Sequence, residues 1–537
     1  MNEMRTASGL TSVRAATLDV LRQLGITAVF GNPGSTELGF LTEWPDDIAY
    51  VLALQEASAV AMADGFARAT GNAPLVNLHS AAGLGNALGN LFTAFRNQTP
   101  LVVMAGQQTR DLLMRDPYLG AVRATEFPRP YVKWSCEPAR AEDVPAALEH
   151  AYHVAMQAPR GPAFVSVPSD DWTAQVPPYR THRVTQVSGP DPRAIEELVG
   201  ALLSSARPAI VVGAEIDGYG ANEVARSVAE TLEAPVFEAP VSSAVSFPTD
   251  HRLFAGFLPA VPEGLSKSLE GHDAILVLGA PAFTFHVPGD AAVLASGVPI
   301  YHVTADPASA AAARSTLSVV GSIDLALAAM LERLKASPPR PACDRKRAVA
   351  RPFAASDPMT AEYVLQVARK HLPDGCAIVE EAPSHRPAVQ RSLPVARSRG
   401  YYTMASGGLG YGLPAAVGVA MAQPDRHVVA IMGDGSMMYS VQALWTAARH
   451  RLPMTVIVLN NGGYGALRSF AKIMKSSRLP GLDLPGLDFV ALARGQGADA
   501  RRVERAGDLE AALQDAVGRK QPMLLDIKVD PDAGAIY

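Results

Sequence analysis

The chain has 537 residues, with 47 Lys and Arg against 52 Asp and Glu and a net charge of −5. Apolar residues make up 48% and charged residues 18%, enough for large cores and far from a disordered composition. A mildly acidic balance without basic blocks argues against nucleic acid as a partner, and no apolar run reaches the roughly 18–20 residues that a membrane span needs.

Taken in chain order, the first 25 residues lack the apolar core of a secretion signal. They read instead as an amphipathic helix with Val13, Ala16, Val20, Leu21 and Leu24 on one face. Four apolar runs follow: TAVF (27–30), AYVLAL (49–54), PLVNLH (74–79) and PLVVMAG (100–106). A Pro- and charge-rich stretch over 171–193 reads as a linker. The next block repeats the pattern with PAIVVG (208–213), DAILVLG (273–279), PIYHVT (299–304) and LSVVG (317–321). A second linker is expected over 336–359, and a third block carries AIVEE (377–381), HVVAIMGDG (427–435), MTVIVLNN (454–461) and MLLDIKV (523–529). Continuous apolar runs alternating with helical patterns imply parallel sheets covered on both faces. The expected architecture is α/β, with three doubly wound parallel-sheet domains over 1–180, 190–338 and 356–537. Cys136, Cys343 and Cys376 lie far apart and form no CxxC, which fits a reducing, cytoplasmic compartment.

Ala82 to Leu88 (AGLGNAL) resembles Gly407 to Leu413 (GGLGYGL), 325 positions later, so blocks one and three are candidates for two versions of one fold. The third block has the sharpest chemistry. Gly433-Asp434-Gly435-Ser436 ends one apolar run, and Asn460-Asn461-Gly462-Gly463-Tyr464-Gly465 ends the next. In open α/β sheets ligands bind at that edge. Asp434 and Asn461 offer the hard oxygens that Mg²⁺ or Ca²⁺ takes. Gly435 and Gly462 permit close backbone approach, and Ser436 is expected to cap a helix whose N-terminus favours phosphate.

GDG followed by NN, with Asp434 and Asn461 27 positions apart, resembles the thiamine diphosphate motif. FGNPGSTEL (30–38), ALQEA (53–57), NLHSAAGLGNALG (77–89), AGQQTR (105–110), LVLGAPAF (276–283), GGLGYGLPAAVGV (407–419) and NNGGYGALR (460–468) extend the resemblance over nearly the whole chain. It is to the thiamine-diphosphate-dependent 2-keto acid decarboxylases, in particular the branch acting on benzoylformate. The resemblance implies a pyrimidine-binding domain, a middle domain and a diphosphate-binding domain. It also implies a homotetramer with each active site shared by two chains, thiamine diphosphate with Mg²⁺ (Ca²⁺ being a possible substitute), and conversion of an aromatic 2-keto acid such as benzoylformate to an aldehyde and carbon dioxide.

The resemblance also assigns roles. Glu56 is the carboxylate that hydrogen-bonds the cofactor's aminopyrimidine ring, a role that burial favours by raising proton affinity. Ser35, otherwise a good helix N-cap, hydrogen-bonds the substrate carboxylate. His79 and His286 relay protons, as groups titrating near neutrality can. Leu409 bends the cofactor, Ser384, Gly435, Ser436 and Tyr464 contact it, and the Gly463 carbonyl joins Asp434 and Asn461 on the metal. Leu467 and Phe470 line the substrate pocket. The sequence departs from the family pattern at Ser469, where Trp is expected, and at Ala382 and Pro383, where hydroxyls are expected. A related carboligase, or a decarboxylase of branched or aliphatic 2-keto acids, is the near alternative. Pyruvate decarboxylases are expected to carry a His-His pair in the first domain, and this chain has no adjacent histidines. An NAD-binding protein would need a Gly-x-Gly-x-x-Gly after a strand, and VVGAEIDGYG (211–220) fails that spacing.

Overall fold

The computed structural model describes residues 9–289, 297–343, 352–476 and 479–532. It divides into two compact units. One holds Met1–Gln186, Ser406–Ala422 and Gln442–His450, and the other holds Val187–Ala405, Gln423–Val441 and Arg451–Tyr537.

In the first unit, β1 (Thr11–Ser12) leads into the amphipathic helix Val13–Gln23. The Ser12 hydroxyl caps that helix by accepting from the Ala15 N–H at 3.1 Å, and the helix buries Val13, Ala16, Leu18, Val20 and Leu21. The strands that follow are β2 (Ala28–Gly31), β3 (Ala49–Leu52), β4 (Leu75–Leu78), β5 (Leu101–Gln107), β6 (Ser135–Cys136), β7 (Pro162–Pro168) and β8 (Gln175–Val176). β2 to β7 form a parallel sheet in the order β3-β2-β4-β5-β7-β6, while β8 returns antiparallel to β1. The helix Glu56–Thr70 starts on Gln55, whose side chain accepts from Ser58 N–H, and stops on left-handed Gly71. Its Gly65 lies against the Ala415 carbonyl, and Gly418 of the helix Gly412–Ala422 lies against the Met62 carbonyl. A methyl group at either glycine would collide with backbone, so the two helices touch main chain to main chain. Asp64 and Arg68 meet Tyr411 beside this contact at 2.9 and 2.7 Å.

The second unit has two sheets. One is built from β9 (Pro208–Val212), β10 (Val236–Glu238), β11 (Phe254–Phe257), β12 (Ala274–Leu278), β13 (Ile300–Thr304) and β14 (Leu317–Val320), in the order β11-β10-β9-β12-β13-β14. That order is common in dinucleotide-binding sheets. Here the crevice beside β9 is filled, because Gly213 lies directly against Gly279 and Ala280. The other sheet is built from β15 (Ala377–Glu381), β16 (Tyr401–Tyr402), β17 (Val428–Gly433), β18 (Met454–Asn460), β19 (Asp499–Val503) and β20 (Met523–Lys528), in the order β16-β15-β17-β18-β20-β19. All but two of the apolar runs are interior strands of the parallel sheets, β3 and β14 lying at edges, and β9, β12 and β15 are buried throughout.

Several expectations need correction. Each sheet has six strands among the described residues, not four. Edge strands such as β6 and β16 are two residues long, too short to show a period. β7 (PAFVSVP), outside the four runs of its block, is fully buried and opens and closes on proline. Blocks one and three do share a strand order, but not through the AGLGNAL/GGLGYGL echo. The first copy lies inside the helix Ser80–Arg96 that follows the third strand of its sheet, and the second precedes the helix that follows the second strand of its own. The expected linker at 171–193 begins as folded chain: Trp172 is buried and β8 is paired. Within the second linker, residues 344–351 lie outside the described residues, as do residues 1–8 of the amino-terminal stretch.

Candidate active site

In the first unit the polar residues gather where β2, β3 and β4 end. The loop after β2 turns through the short 3₁₀ helix Ser35–Glu37. Ser35 opens that turn and is exposed; Gly34, not Ser35, holds the cap position. Glu37 is 1% exposed and fully engaged. Its Oε1 accepts from the Thr36 hydroxyl at 2.6 Å and the Gly106 N–H at 3.0 Å. Its Oε2 accepts from the Gly34 N–H at 2.7 Å and stands 3.0 Å from His79 Nδ1. A carboxylate is an acceptor, so Nδ1 carries the proton of the neutral ring and Nε2 is left as its basic nitrogen. The His79 ring lies flat on Gly34, where a Cβ would overlap it.

Glu56 is the first residue of its helix, four positions beyond β3. It is half-buried rather than buried, and its Oε2 accepts from Asn86 Nδ2 at 3.1 Å. Gly83 lets the helix Ser80–Arg96 pass close to both groups: a Cβ there would stand 3.1 Å from Glu56 Oε1 and 3.4 Å from His79 Cβ. Leu409 is half-buried in the same unit. Its loop is tied down by Asn90, which donates to the Ala57 and Gly410 carbonyls at 2.9 and 3.1 Å.

In the second unit the corresponding edge belongs to β15, β17 and β18. Asp434 follows β17 directly and is 3% exposed; Asn461 follows β18 and is 4% exposed. The Gly463 N–H donates to Asp434 Oδ2 at 2.8 Å and to Asn461 Oδ1 at 3.2 Å, so both oxygens converge on one donor. Asp434 Oδ1 accepts from the Gly435 N–H at 2.8 Å. Burial pushes the Asp434 carboxyl above its ordinary range, against the pull of these N–H groups. Each oxygen keeps lone-pair capacity, and two buried hard oxygens suit Mg²⁺ or Ca²⁺. The Gly463 carbonyl accepts from the Gly465 N–H at 3.0 Å.

Ser436 is not a cap. The helix there is Asp434–Met437, with Gly433 at its cap, and Ser436 lies inside it, 3% exposed. Gly435 packs against the Tyr464 ring, where a Cβ would be 2.5 Å from Cε1, and a Cβ on Gly465 would meet Asn461 Nδ2 and Ser384 Oγ. Ser384 thus belongs with the Asn461 loop. His286 is exposed, and its ring meets Phe470 edge-on with centroids 5.0 Å apart. Leu467 is 48% exposed and Ser469 half-buried, both in the helix Gly465–Ile473.

Two residues that matter here escaped the sequence reading. Glu37 sits in the quoted motif NPGSTE, two positions after Ser35, but its link to His79 crosses 42 positions. Arg468 closes the quoted motif NNGGYGALR and donates to the Asn461 and Gly462 carbonyls, each at 3.3 Å, which braces the metal loop.

Three family models match the chain: the N-terminal TPP binding domain of thiamine pyrophosphate enzymes over 11–122, the central domain over 195–330 and the C-terminal TPP binding domain over 382–527. The chain is 44% identical to benzoylformate decarboxylase of Pseudomonas aeruginosa over 96% of its own length and 99% of that protein. The crystal structure of benzoylformate decarboxylase from Polynucleobacter necessarius superposes with a TM-score of 0.93 at 39% identity, covering 97% of this chain and 99% of that one. A thiamine diphosphate-dependent 4-hydroxybenzoylformate decarboxylase of Rhodococcus jostii gives a TM-score of 0.92 at 41% identity, over 97% and 99% of the two chains.

Proposed function

Since this chain belongs to the thiamine pyrophosphate enzyme family, beside its benzoylformate decarboxylase relative, we propose that it is a carbon–carbon lyase that converts benzoylformate to benzaldehyde and carbon dioxide. One observation carries this reading: the similarity to aromatic 2-keto acid decarboxylases runs through nearly the whole chain, including the two clustered strand edges. Thiamine diphosphate, when bound, would supply a carbon nucleophile and a ring that takes up the electron pair left behind as carbon dioxide departs.

The chain's own residues do the rest. Asp434, Asn461 and the Gly463 carbonyl would hold the divalent ion, and Ser384, Gly435, Ser436 and Tyr464 would contact the diphosphate. Glu56 holds a proton against the pyrimidine ring, with Asn86 fixing its carboxylate, and Leu409 packs beneath the cofactor. Ser35 Oγ donates to the substrate carboxylate. His79 Nε2 moves a proton to or from the reacting centre while Glu37 keeps Nδ1 protonated, and His286 serves as the second proton carrier. Leu467 and Phe470 supply the apolar wall for the aromatic ring.

The domain division we adopt is 1–180 for pyrimidine binding, 190–338 for the middle and 356–537 for diphosphate binding. A homotetramer with active sites shared between chains accounts for two features of the single chain. Ser35 and His286 stand exposed, and Leu112, Met114, Tyr118, Val122 and Phe127 form an exposed apolar stretch. Three unpaired thiols support a reducing, cytoplasmic setting.

The test is kcat/KM for benzoylformate and pyruvate under one set of conditions, with saturating thiamine diphosphate and Mg²⁺. Burying ~100 Å² more apolar surface with a phenyl than with a methyl is worth about 2.5 kcal/mol. Benzoylformate is expected to lead by at least about tenfold, since part of the ring stays exposed. Pyruvate equal or better overturns the aromatic assignment.

A further inference from the structure

A second group of metal-ligating side chains lies in the first unit, away from the strand edges just described. Glu149 and His153 are four residues apart on the helix Val144–Met156, so they share one face. His182 arrives from the strap that follows β8. Its Nδ1 stands 2.9 Å from Glu149 Oε1, and His153 Nε2 stands 3.5 Å from the same oxygen. One donor atom from each of the three residues fits within a span of 4.8 Å. Two ligands at ~2.0–2.1 Å from a tetrahedral ion are about 3.3 Å apart, so these separations need little adjustment.

Two further observations point the same way. His153 Nε2 is sealed from solvent and makes no hydrogen bond of ordinary geometry, its approach to Glu149 Oε1 being long at 3.5 Å, which leaves a ring nitrogen poorly satisfied. Glu149 is 1% exposed and already oriented by outer contacts: its Oε2 accepts from the Tyr179 hydroxyl at 2.6 Å and its Oε1 from the His182 N–H at 2.6 Å. Such outer hydrogen bonds are what fix ligand orientation in metal sites. Gln186 Nε2 donates to the His153 carbonyl at 3.0 Å, which ties the end of the strap to the same helix. His153 and His182 line a cavity of about 470 Å³, and His182 is 70% exposed, so an ion has an entry path and a position left for water.

We propose that Glu149, His153 and His182 form a second metal site, one that takes a divalent d-block ion such as Zn²⁺, Ni²⁺ or Co²⁺. Two imidazoles and one carboxylate are a donor set that Mg²⁺ and Ca²⁺ disfavour and these ions prefer. The ion fastens the strap at 177–186 to the helix it crosses. That strap is also held by Gln23, which accepts from the Thr181 N–H at 3.0 Å and donates to the Tyr179 carbonyl at 3.2 Å.

The experiment titrates Co²⁺ into the holoenzyme, with thiamine diphosphate and Mg²⁺ saturating, and reads visible absorption. The expected result is one Co²⁺ per chain, with the intense bands of a four- or five-coordinate nitrogen-containing site, abolished by Zn²⁺. Co²⁺ at the oxygen-rich Asp434 site would give weak octahedral bands instead. His182→Ala, a change at an exposed residue, should weaken Co²⁺ affinity at least tenfold and leave decarboxylation unchanged, and His153→Gln should do the same. Zn²⁺ should raise Tm in the parent and not in His182→Ala. Weak octahedral bands alone, or an unchanged titration in both histidine variants, would overturn the proposal.

Discussion

At the carboxyl edge of the first sheet, the loops after β2, β3 and β4 carry two glutamates, a serine and a histidine. At the same edge of the third sheet, the loops after β15, β17 and β18 carry an aspartate, asparagines, glycines and a serine. The two sheets run in one strand order, each with its second strand outermost and its last two exchanged. In the first, the buried carboxylate of Glu37 answers a histidine and hydroxyl and amide donors, an arrangement for setting where a proton sits. In the third, the buried carboxylate of Asp434 answers backbone N–H groups and shares one of them with Asn461, an arrangement for holding a cation. Topology dictates that a site lies at this edge, and the loop residues dictate which chemistry it does.

The contrast can be broken or sharpened by substitution. The largest effect is expected at the third sheet. Asp434→Ala removes a charged ligand and should abolish turnover at ordinary Mg²⁺ concentrations, measured as carbon dioxide release. At the first sheet, Glu56→Gln keeps the shape and removes the proton acceptor, so kcat should fall by about 10²–10⁴-fold. A smaller effect separates a positioning residue from a catalytic one. Glu37→Gln still accepts a hydrogen bond but no longer supports a protonated His79, so kcat should fall by about tenfold with little change in KM. A purely structural Glu37 would lower the amount of active enzyme and leave kcat per active site unchanged.

The middle sheet serves as the control, with no effect on chemistry expected. Glu215 is half-buried, bonded to Thr304 and Ala305, and desolvation raises its carboxyl to about 7. A raised carboxyl contributes its stability below the unfolded value near 4.5 and loses it as pH rises through the folded value. Stability should therefore decline between about pH 4.5 and 7.5, by about 3 kcal/mol from this group alone. Glu215→Gln should flatten that decline in a Tm series and leave kcat unchanged.

The sequence revealed most where local chemistry and global position agree. Twelve apolar runs became strands of the three parallel sheets, ten of them interior, where a strand buried on both faces leaves no polar alternation, as in β9 and β12. The Asp434 and Asn461 loops were legible because a short spacing brackets one helical crossover between two neighbouring strands. Contacts that join distant segments were not. Glu37 reaches Gly106 across 69 positions, and Gly65 meets Ala415 across the face of another helix, with nothing in the neighbouring sequence to mark either. Ser35 and Ser436 have the right type for a cap, but the chain places glycine at both cap positions and the serines one and three residues further on. Cap propensity alone does not fix register.

The most direct test of the division between the two edges is calorimetric titration of thiamine diphosphate, with Mg²⁺ present, into Glu56→Gln and Asp434→Ala side by side. Glu56→Gln should bind within about tenfold of the parent, because it loses one hydrogen bond of ordinary strength. Asp434→Ala should bind at least about a hundredfold more weakly, because the diphosphate loses the cation that ties it to the protein. Parent-like binding by Asp434→Ala would contradict the account.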